Sequence, residues 1–234
     1  MEGHLTVIFA GLVAYRRRLL GLAALYLVLA GLALAVAGEM MAFICRPAGQ
    51  LTLLRPAEAA VYQLMLAALL AAVVLAPLAV YVLMSPLAVR LGRRGRWQLA
   101  ALTVLSWLFG MAGGLFAYTV LVPASFQFLM GFATGTIQPM LSLDGYLRFV
   151  LGLVLPSALF FQLPLVIVLL GRFGLVSPGG LARGRKYALL IALILAAILT
   201  PPDVVSQIML TGPILGLYEL GILCLRLTQP RRAA

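Results

Sequence analysis

The nine residues Leu199–Gln207 read LTPPDVVSQ and lie between the last two apolar runs of the chain. Two consecutive prolines cannot continue an α-helix, because proline lacks a backbone N–H and its ring clashes with the preceding turn. The aspartate that follows is costly inside lipid. The segment therefore predicts a tight turn at a membrane surface, joining two membrane-spanning helices.

The composition extends this prediction to the whole chain. Hydrophobic residues make up 64% of the 234 residues and charged residues 10%, which is more apolar surface than a soluble domain of this size can bury. The apolar runs are long, and none shows the short alternating pattern of β-barrel strands. The first run has no small-residue cleavage site, so we expect it to be a retained first span. The predicted fold class is an all-α integral membrane protein.

Six spans can be drawn within one transmembrane domain that covers residues 1–234. They comprise about 19–37, 59–84, 97–122, 146–170, 187–199 and 205–225, with boundaries good to roughly 2–4 residues. The fifth and sixth spans are short. The fifth rises only about 20 Å, against a hydrocarbon core of about 30 Å. This deficit predicts a locally thinned bilayer or shielding by neighbouring helices.

The basic residues predict the orientation. Fourteen of the 17 lie before span one, between spans two and three, between spans four and five, or after span six, and the other three are Arg46, Arg55 and Arg148. The positive-inside rule therefore places both termini in the cytoplasm. The net charge of +11 is explained by this topology and by contact with anionic membrane lipid. No basic face with interleaved aromatics indicates a nucleic-acid partner.

The sequence offers no enzyme site. The six acidic residues form no evident dyad, the serines lack a histidine partner in the membrane, and no metal-ligand spacing or phosphate-binding glycine loop is present. His4, the single histidine, lies in the N-terminal tail. Cys45 and Cys224 are expected near opposite membrane faces, too far apart for a disulfide. We therefore expect no catalytic residue, metal or cofactor.

Two further features are most simply structural. Gly110 with Gly114, and Gly212 with Gly216, have the spacing of helix-packing faces. The basic run Arg16–Arg18 before the first span is typical of a topology anchor, with ligand binding as the alternative.

Polar residues inside or beside the spans are the candidates for function. Glu219 lies within span six, and it is either a functional intramembrane carboxylate or an interfacial residue paired with an arginine such as Arg226. Gln162 lies in span four, where it either bonds a partner helix or bonds within the bundle, and Pro164 predicts a kink there. Asp203 either receives a partner's cation or caps the sixth helix.

Several ordered segments resemble the TatC family, the polytopic core subunit of the twin-arginine protein translocase. The resemblance runs over nearly the whole chain, and LTPPDVVSQ is its most specific piece. The other segments are Tyr15–Leu19, Pro56-Ala57-Glu58, Phe116-Ala117-Tyr118 with Pro123, Asp144–Leu147, and Phe161-Gln162-Leu163-Pro164. The positions that we therefore expect to hold the fold are Pro56, Glu58, Tyr118, Pro123, Pro201 and Pro202.

The resemblance implies a function and its partners. Members of this family bind the twin-arginine signal peptide of a folded precursor at the cytoplasmic face of a prokaryotic inner membrane. They recruit single-span TatA- and TatB-like subunits, and the proton-motive force drives export. The groove for a partner helix is expected at Gln162, Pro164, Asp203 and Glu219, and the signal-binding face at Ala14, Arg16, Arg17, Arg18, Gly92 and Arg93.

This chain departs from the family at the residues expected to hold the arginine pair. Ala14 and Gly92 stand where the family has glutamates, and Gln162 replaces a third. Guanidinium groups pair bidentately with carboxylates, so these changes argue against direct recognition of the twin-arginine signal by this chain. One alternative is that a second TatC copy in the same complex recognises the signal peptide. The alternatives are a non-transporting TatC-like scaffold or accessory paralogue and a small-molecule transporter, whose repeat symmetry is not evident here.

Overall fold

The computed structural model describes residues 2–49, 51–89, 92–131, 141–199 and 204–228. These ranges are helical and contain no β-strand beyond one isolated bridge. The helices are α1 (Glu2–Cys45), α2 (Ala57–Val89), α3 (Gly92–Phe116), α4 (Val122–Met130), α5 (Leu143–Phe160), α6 (Leu163–Arg172), α7 (Pro178–Arg183), α8 (Arg185–Leu199) and α9 (Val204–Thr228). A π-helical turn, Ala117–Leu121, joins α3 to α4, and a 3₁₀ turn, Arg46–Ala48, follows α1.

Five helical stretches of the described chain are long and apolar enough to cross a membrane. They are Arg16–Ala48, Ala57–Val82, Trp97–Met130, Leu143–Arg172 and Gln207–Thr228. The predicted class, an all-helical membrane protein, is confirmed. The stretch predicted as the fifth span is the 15-residue α8, which rises about 22 Å.

Two helices run further than the sequence patterns predict. α1 continues to Cys45, where a loop was expected from Gly38, because the chain has no helix-breaking residue between these positions. The third helical stretch continues through Pro123 to Met130. The π-helical turn before Pro123 makes this possible, because it shifts the hydrogen bonds by one residue and Val122 N–H donates to the Ala117 carbonyl.

By its contacts the chain divides into two units, and the division falls within α3. Unit 1 comprises residues 1–46 and 53–107. In it α1 packs on α2 through a cluster of small buried residues, Ala33, Ala37 and Ala67. The Tyr26 hydroxyl adds a 3.2 Å hydrogen bond to the carbonyl of Ala68.

A second contact in unit 1 joins α3 to α2. Pro77 lies inside α2 and has no N–H, so the carbonyl of Val73, four residues earlier, lacks its usual donor. The indole Nε1–H of Trp107 donates to that carbonyl at 2.8 Å. The side chain of one helix thus satisfies the backbone that proline leaves unpaired in its neighbour.

Unit 2 comprises residues 47–52 and 108–234 and holds the remaining described helices. Its core joins the π-helical turn, α5, α8 and α9 through buried residues Ala117, Leu121, Phe160, Ala192, Ala196, Leu210 and Ile214. On another side of the unit, Thr52 pairs with the start of α5: its N–H donates to the Leu141 carbonyl at 2.9 Å, and its own carbonyl accepts from Leu143 N–H at 3.0 Å.

Glycines permit the closest helix contacts in unit 2. A Cβ on Gly113 would lie 2.6 Å from the Ser157 carbonyl oxygen, so α3 and α5 touch there. A Cβ on Gly171 would overlap the Leu225 side chain, and one on Gly221 would lie 2.7 Å from Ile167, so α6 and α9 are equally close.

The glycine pairs singled out by spacing behave differently. Nothing described lies within 4 Å of a Cβ built on Gly212 or Gly216, so this pair makes no close helix contact among the described residues, and its role as a helix-packing face stays a prediction. Of the first pair, Gly114 makes only ordinary contact with Val154 and Gly110 lies against Gln162. The close helix contact falls on Gly113, which spacing alone did not distinguish.

Candidate functional site

The fourth helical stretch is broken at Phe161–Gln162, where Pro164 predicted a kink. α5 ends at Phe160 and α6 begins at Leu163, with proline in its first turn. The side chain of Gln162 is half-buried, and its amide nitrogen lies 3.1 Å from where a Cβ on Gly110 would stand. The absence of a side chain at Gly110 therefore gives the Gln162 amide its place against α3.

A buried hydroxyl lies one turn before this break. Ser157 is fully buried, and its Oγ has no hydrogen-bond partner among the described residues. Phe161, four residues on, is held by a backbone hydrogen bond from its N–H to the Ser157 carbonyl, and its ring packs at a tilt against that of Phe116, with the ring centroids 5.7 Å apart. The break therefore lies between the aromatic contact of Phe161 and the buried Ser157 hydroxyl, which has no partner among the described residues.

The short helix α8 has two different faces. Ala192 and Ala196 are buried in the core of unit 2. Large apolar side chains are exposed around the rest of the helix, and those opposite the two alanines are Tyr187, Leu190, Ile191, Ile194 and Ile198. At its end nearest α9, the carbonyl of Leu193 accepts a 3.1 Å hydrogen bond from the side-chain amide of Gln207. α8 is therefore tied to α9 while it presents an unpartnered apolar surface.

Glu219 on α9 pairs with Arg185, the first residue of α8. Arg185 Nε–H donates to Glu219 Oε1 at 2.6 Å and an Nη2–H donates to Oε2 at 2.8 Å. The Arg185 side chain is 57% exposed and that of Glu219 47%. The hydrogen bonds to Glu219 raise the pKa of the Arg185 guanidinium above its ordinary value. The expected partner, Arg226, is corrected to Arg185, which lies 34 residues earlier in the chain.

Arg185 was counted only as a topology residue in the sequence. The signal that identifies it is positional. A carboxylate on an apolar helix favours a cation nearby, and Arg185 begins the preceding helix, α8, which runs antiparallel to α9. Two other side chains join helices in the same region. Tyr218, which belongs to none of the quoted segments, donates its hydroxyl to the Leu181 carbonyl of α7 at 2.9 Å, and Gln207, the last residue of LTPPDVVSQ, joins α9 to α8 as above.

A shallow groove runs along α9 beside this ion pair. It is lined by Gly216, Glu219, Leu220, Ile222, Leu223 and Arg226. Leu220 and Leu223 are exposed in it at 39% and 52%. A carboxylate, an arginine and an apolar wall therefore share one open surface of unit 2.

The other predicted site residues are distributed as follows. Arg16, Arg17 and Arg18 are exposed on α1. Ala14 lies on α1, and Gly92 and Arg93 begin α3, but their side chains lie outside what the structure describes. Asp203, Pro201 and Pro202 lie outside the described residues altogether.

The expected fold-holding residues that are described lie in both units. Pro56 precedes α2 in unit 1, and Glu58 in its first turn has one carboxylate oxygen buried without a hydrogen-bond partner in the described chain. Tyr118 and Pro123 lie at the π-helical turn of unit 2. Of the partner-groove candidates, Gln162, Pro164 and Glu219 all lie in unit 2, and the Pro164 Cα lies 3.2 Å from where a Gly221 Cβ would stand.

Comparison with known proteins gives one consistent result. Residues 11–213 match the family described as Sec-independent protein translocase protein (TatC). The chain is 44% identical over 122 residues to the Sec-independent protein translocase protein TatC of Desulforapulum autotrophicum, an alignment that covers 52% of this chain and 45% of the relative. It is 39% identical over 138 residues to the TatC protein of Synechocystis sp., which covers 58% of this chain and 54% of that one.

The alignments span about half the length of these curated relatives. A solved structure, "Crystal Structure of Twin Arginine Translocase Receptor- TatC", superposes with a TM-score of 0.75 and 30% identity, and it covers 91% of this chain and 96% of that one. The family profile extends over most of the chain and the structural match over nearly all of it. The chain is a multi-helix membrane protein that belongs to the TatC family of Sec-independent protein translocase proteins.

Proposed function

We propose that this chain is the core membrane subunit of a twin-arginine translocase in the cytoplasmic membrane of a prokaryote. In this proposal the chain has six spans, with α8 as the fifth, and both termini lie in the cytoplasm. It takes part in export of folded proteins driven by the proton-motive force. The family membership and the distribution of arginines support this assignment.

The observation that carries the proposal is the apolar face of α8. A helix of 15 residues is several ångströms shorter than the hydrocarbon core is thick. Association with another membrane helix is one way to relieve the mismatch of such a short helix, and the exposed apolar face of α8 is the surface open to that partner. We propose that TatA- and TatB-like single-span subunits dock along this face, with the Gln162 break and Pro164 nearby, and that the thinned bilayer beside α8 eases passage of the cargo.

Cysteine crosslinking tests the docking step. In a Cys45→Ser, Cys224→Ser background, Ile194→Cys and Ile198→Cys should crosslink to cysteines placed in a partner's span, because both side chains are exposed at 49% and 71%. Ala192→Cys and Ala196→Cys are the matched controls on the same helix and should not crosslink, because both positions are buried. Equal crosslinking from both faces would contradict the proposal.

Complementation tests the translocase role itself. The chain should restore export of a twin-arginine reporter in a translocase-deficient cell that supplies the partner subunits. The Ala14→Glu, Gly92→Glu double variant, tested in parallel, should raise signal binding, because it returns the carboxylates that the resemblance places there. Partner crosslinking without export would instead support a non-transporting scaffold.

A further inference from the structure

Of the carboxylates whose side chains the structure describes, Glu219 alone lies toward the proposed cytoplasmic end of the helices. Of the other acids with described side chains, Glu39 and Glu58 flank the first outer connection and Asp144 begins α5 beside the second. Glu219 is nine residues from the end of α9, at the level where α8 begins. Among the carboxylates that the structure describes, Glu219 is therefore the one that an arginine approaching from the cytoplasm would meet.

The geometry at Glu219 is already that of a guanidinium site. Both carboxylate oxygens are engaged by two nitrogens of one Arg185 guanidinium, at 2.6 and 2.8 Å. This two-point pairing is specific to arginine, because a lysine ammonium is a single point charge and cannot offer parallel donors. The site therefore distinguishes arginine from lysine by the shape of the donor group, since both side chains carry one positive charge.

The internal pair is also open to exchange. Both side chains are about half exposed, so water screens their attraction and an external guanidinium can reach the same oxygens. Beside them, the α9 groove presents Leu220 and Leu223 and an open position at Gly216, where nothing lies within 4 Å of a built Cβ. An arginine followed by apolar residues has a complementary surface here: a carboxylate for the cation and leucines for the apolar segment.

We propose that Glu219 is an arginine acceptor for the incoming signal peptide, and that Arg185 occupies it as an internal substitute until the peptide displaces it. This inference rests on the proposed translocase function and adds to it a recognition site. It supplies, on α9, a carboxylate of the kind that the chain lacks at Ala14 and Gly92.

Peptide binding to the full chain in lipid nanodiscs tests the inference. The probe is a fluorescent peptide with an arginine pair followed by an apolar segment, and its twin-lysine counterpart is the peptide control. If Arg185 occupies Glu219 about 90% of the time, Arg185→Ala should tighten binding of the arginine peptide by about tenfold. Arg183→Ala is the matched control. It removes the same charge two residues away, where the guanidinium bonds a backbone carbonyl, that of Gly179, and no carboxylate of the described residues.

A double-variant comparison separates site loss from misfolding. Glu219→Gln should remove the preference for arginine over lysine, and Arg185→Ala should give no gain in the Glu219→Gln background. Elution and thermal stability of each variant establish that it is folded. A gain that survives in Glu219→Gln, an equal gain from Arg183→Ala, or no arginine-selective binding by any variant overturns the inference.

Export measured on the same variants separates the inference from the proposed function. Normal export with no effect of Glu219→Gln on peptide selectivity overturns the inference alone. Arg185-dependent peptide binding without export leaves the inference standing and overturns the function. Stronger capture of a TatA- or TatB-like subunit by Arg185→Ala, without stronger peptide binding, would assign the site to a partner helix instead.

Discussion

Replacing Trp107 by phenylalanine tests how this chain handles a proline inside a membrane helix. In the native chain the Trp107 indole N–H bonds the Val73 carbonyl at 2.8 Å, and Pro77 leaves that carbonyl without a donor from its own helix. Trp107→Phe keeps an aromatic ring but removes the donor. In lipid no water replaces it.

The expected cost follows from the unpaired carbonyl. Leaving an acceptor unsatisfied where no water reaches it costs about 1–3 kcal/mol in the free energy of unfolding, to which the smaller ring adds a packing loss. Pro77→Ala restores an N–H four residues after Val73, so in that background the carbonyl is bonded within α2 and the indole is dispensable. Trp107→Phe should therefore lower the free energy of unfolding by about 1–2 kcal/mol more when residue 77 is proline than when it is alanine. The packing loss cancels in this difference.

The four proteins of this cycle can be compared by unfolding in mixed micelles with increasing SDS, followed by far-UV circular dichroism. Trp97→Phe is the matched control, because Trp97 is 75% exposed and should give the same small effect in both backgrounds. Equal costs of Trp107→Phe with proline and with alanine at position 77 would refute the reasoning.

Three further predictions concern the contacts of unit 2. Gly113→Ala should destabilise the protein by about 1–3 kcal/mol relative to Gly114→Ala, because only the first Cβ meets backbone atoms of α5; equal melting temperatures in detergent would contradict this. Tyr218→Phe should lower the protection of α7 amides from hydrogen exchange by about 0.5–1.5 kcal/mol, whereas Tyr187→Phe should leave it unchanged. Gln207→Leu should speed exchange in the second half of α8 and not in α6, since it removes a bond between α8 and α9; unchanged exchange in α8 would show that the bond does not hold the helix.

Helix positions and class were readable from the sequence because they depend on local properties. The long apolar runs and Pro164 are local features of the sequence, and the structure breaks the helix beside Pro164. The prediction that span three ends at residue 122, before Pro123, was wrong. The π-helical turn that accommodates Pro123 depends on the packing of Ala117 and Leu121 and not on local propensity. The family resemblance drew on ordered motifs and is confirmed by the comparisons.

The partner of Glu219 could not be read from spacing. Arg226 is the nearest arginine along the helix, but seven residues place it almost two turns away, whereas Arg185 arrives from another helix. Gly113 presents the same difficulty: residues 110–114 contain three glycines, Gly110, Gly113 and Gly114, and only the orientation of α3 against α5 selects the one in close contact. The role of Asp203 stays a prediction.

The π-helical turn Ala117–Leu121 bears on how the chain tolerates gain or loss of a residue. In a regular α-helix the twelve steps from Gly113 to Ser125 would leave the two roughly 120° apart around the axis, yet both are buried. A π turn takes up one residue without advancing the helix, which reduces the offset to about 20°. The π turn thus accommodates one extra residue without changing which side of the helix is buried. Deleting one residue there should restore regular α-helix while α4 keeps its buried side, so relatives that differ by a one-residue gap at this point can share the same packing.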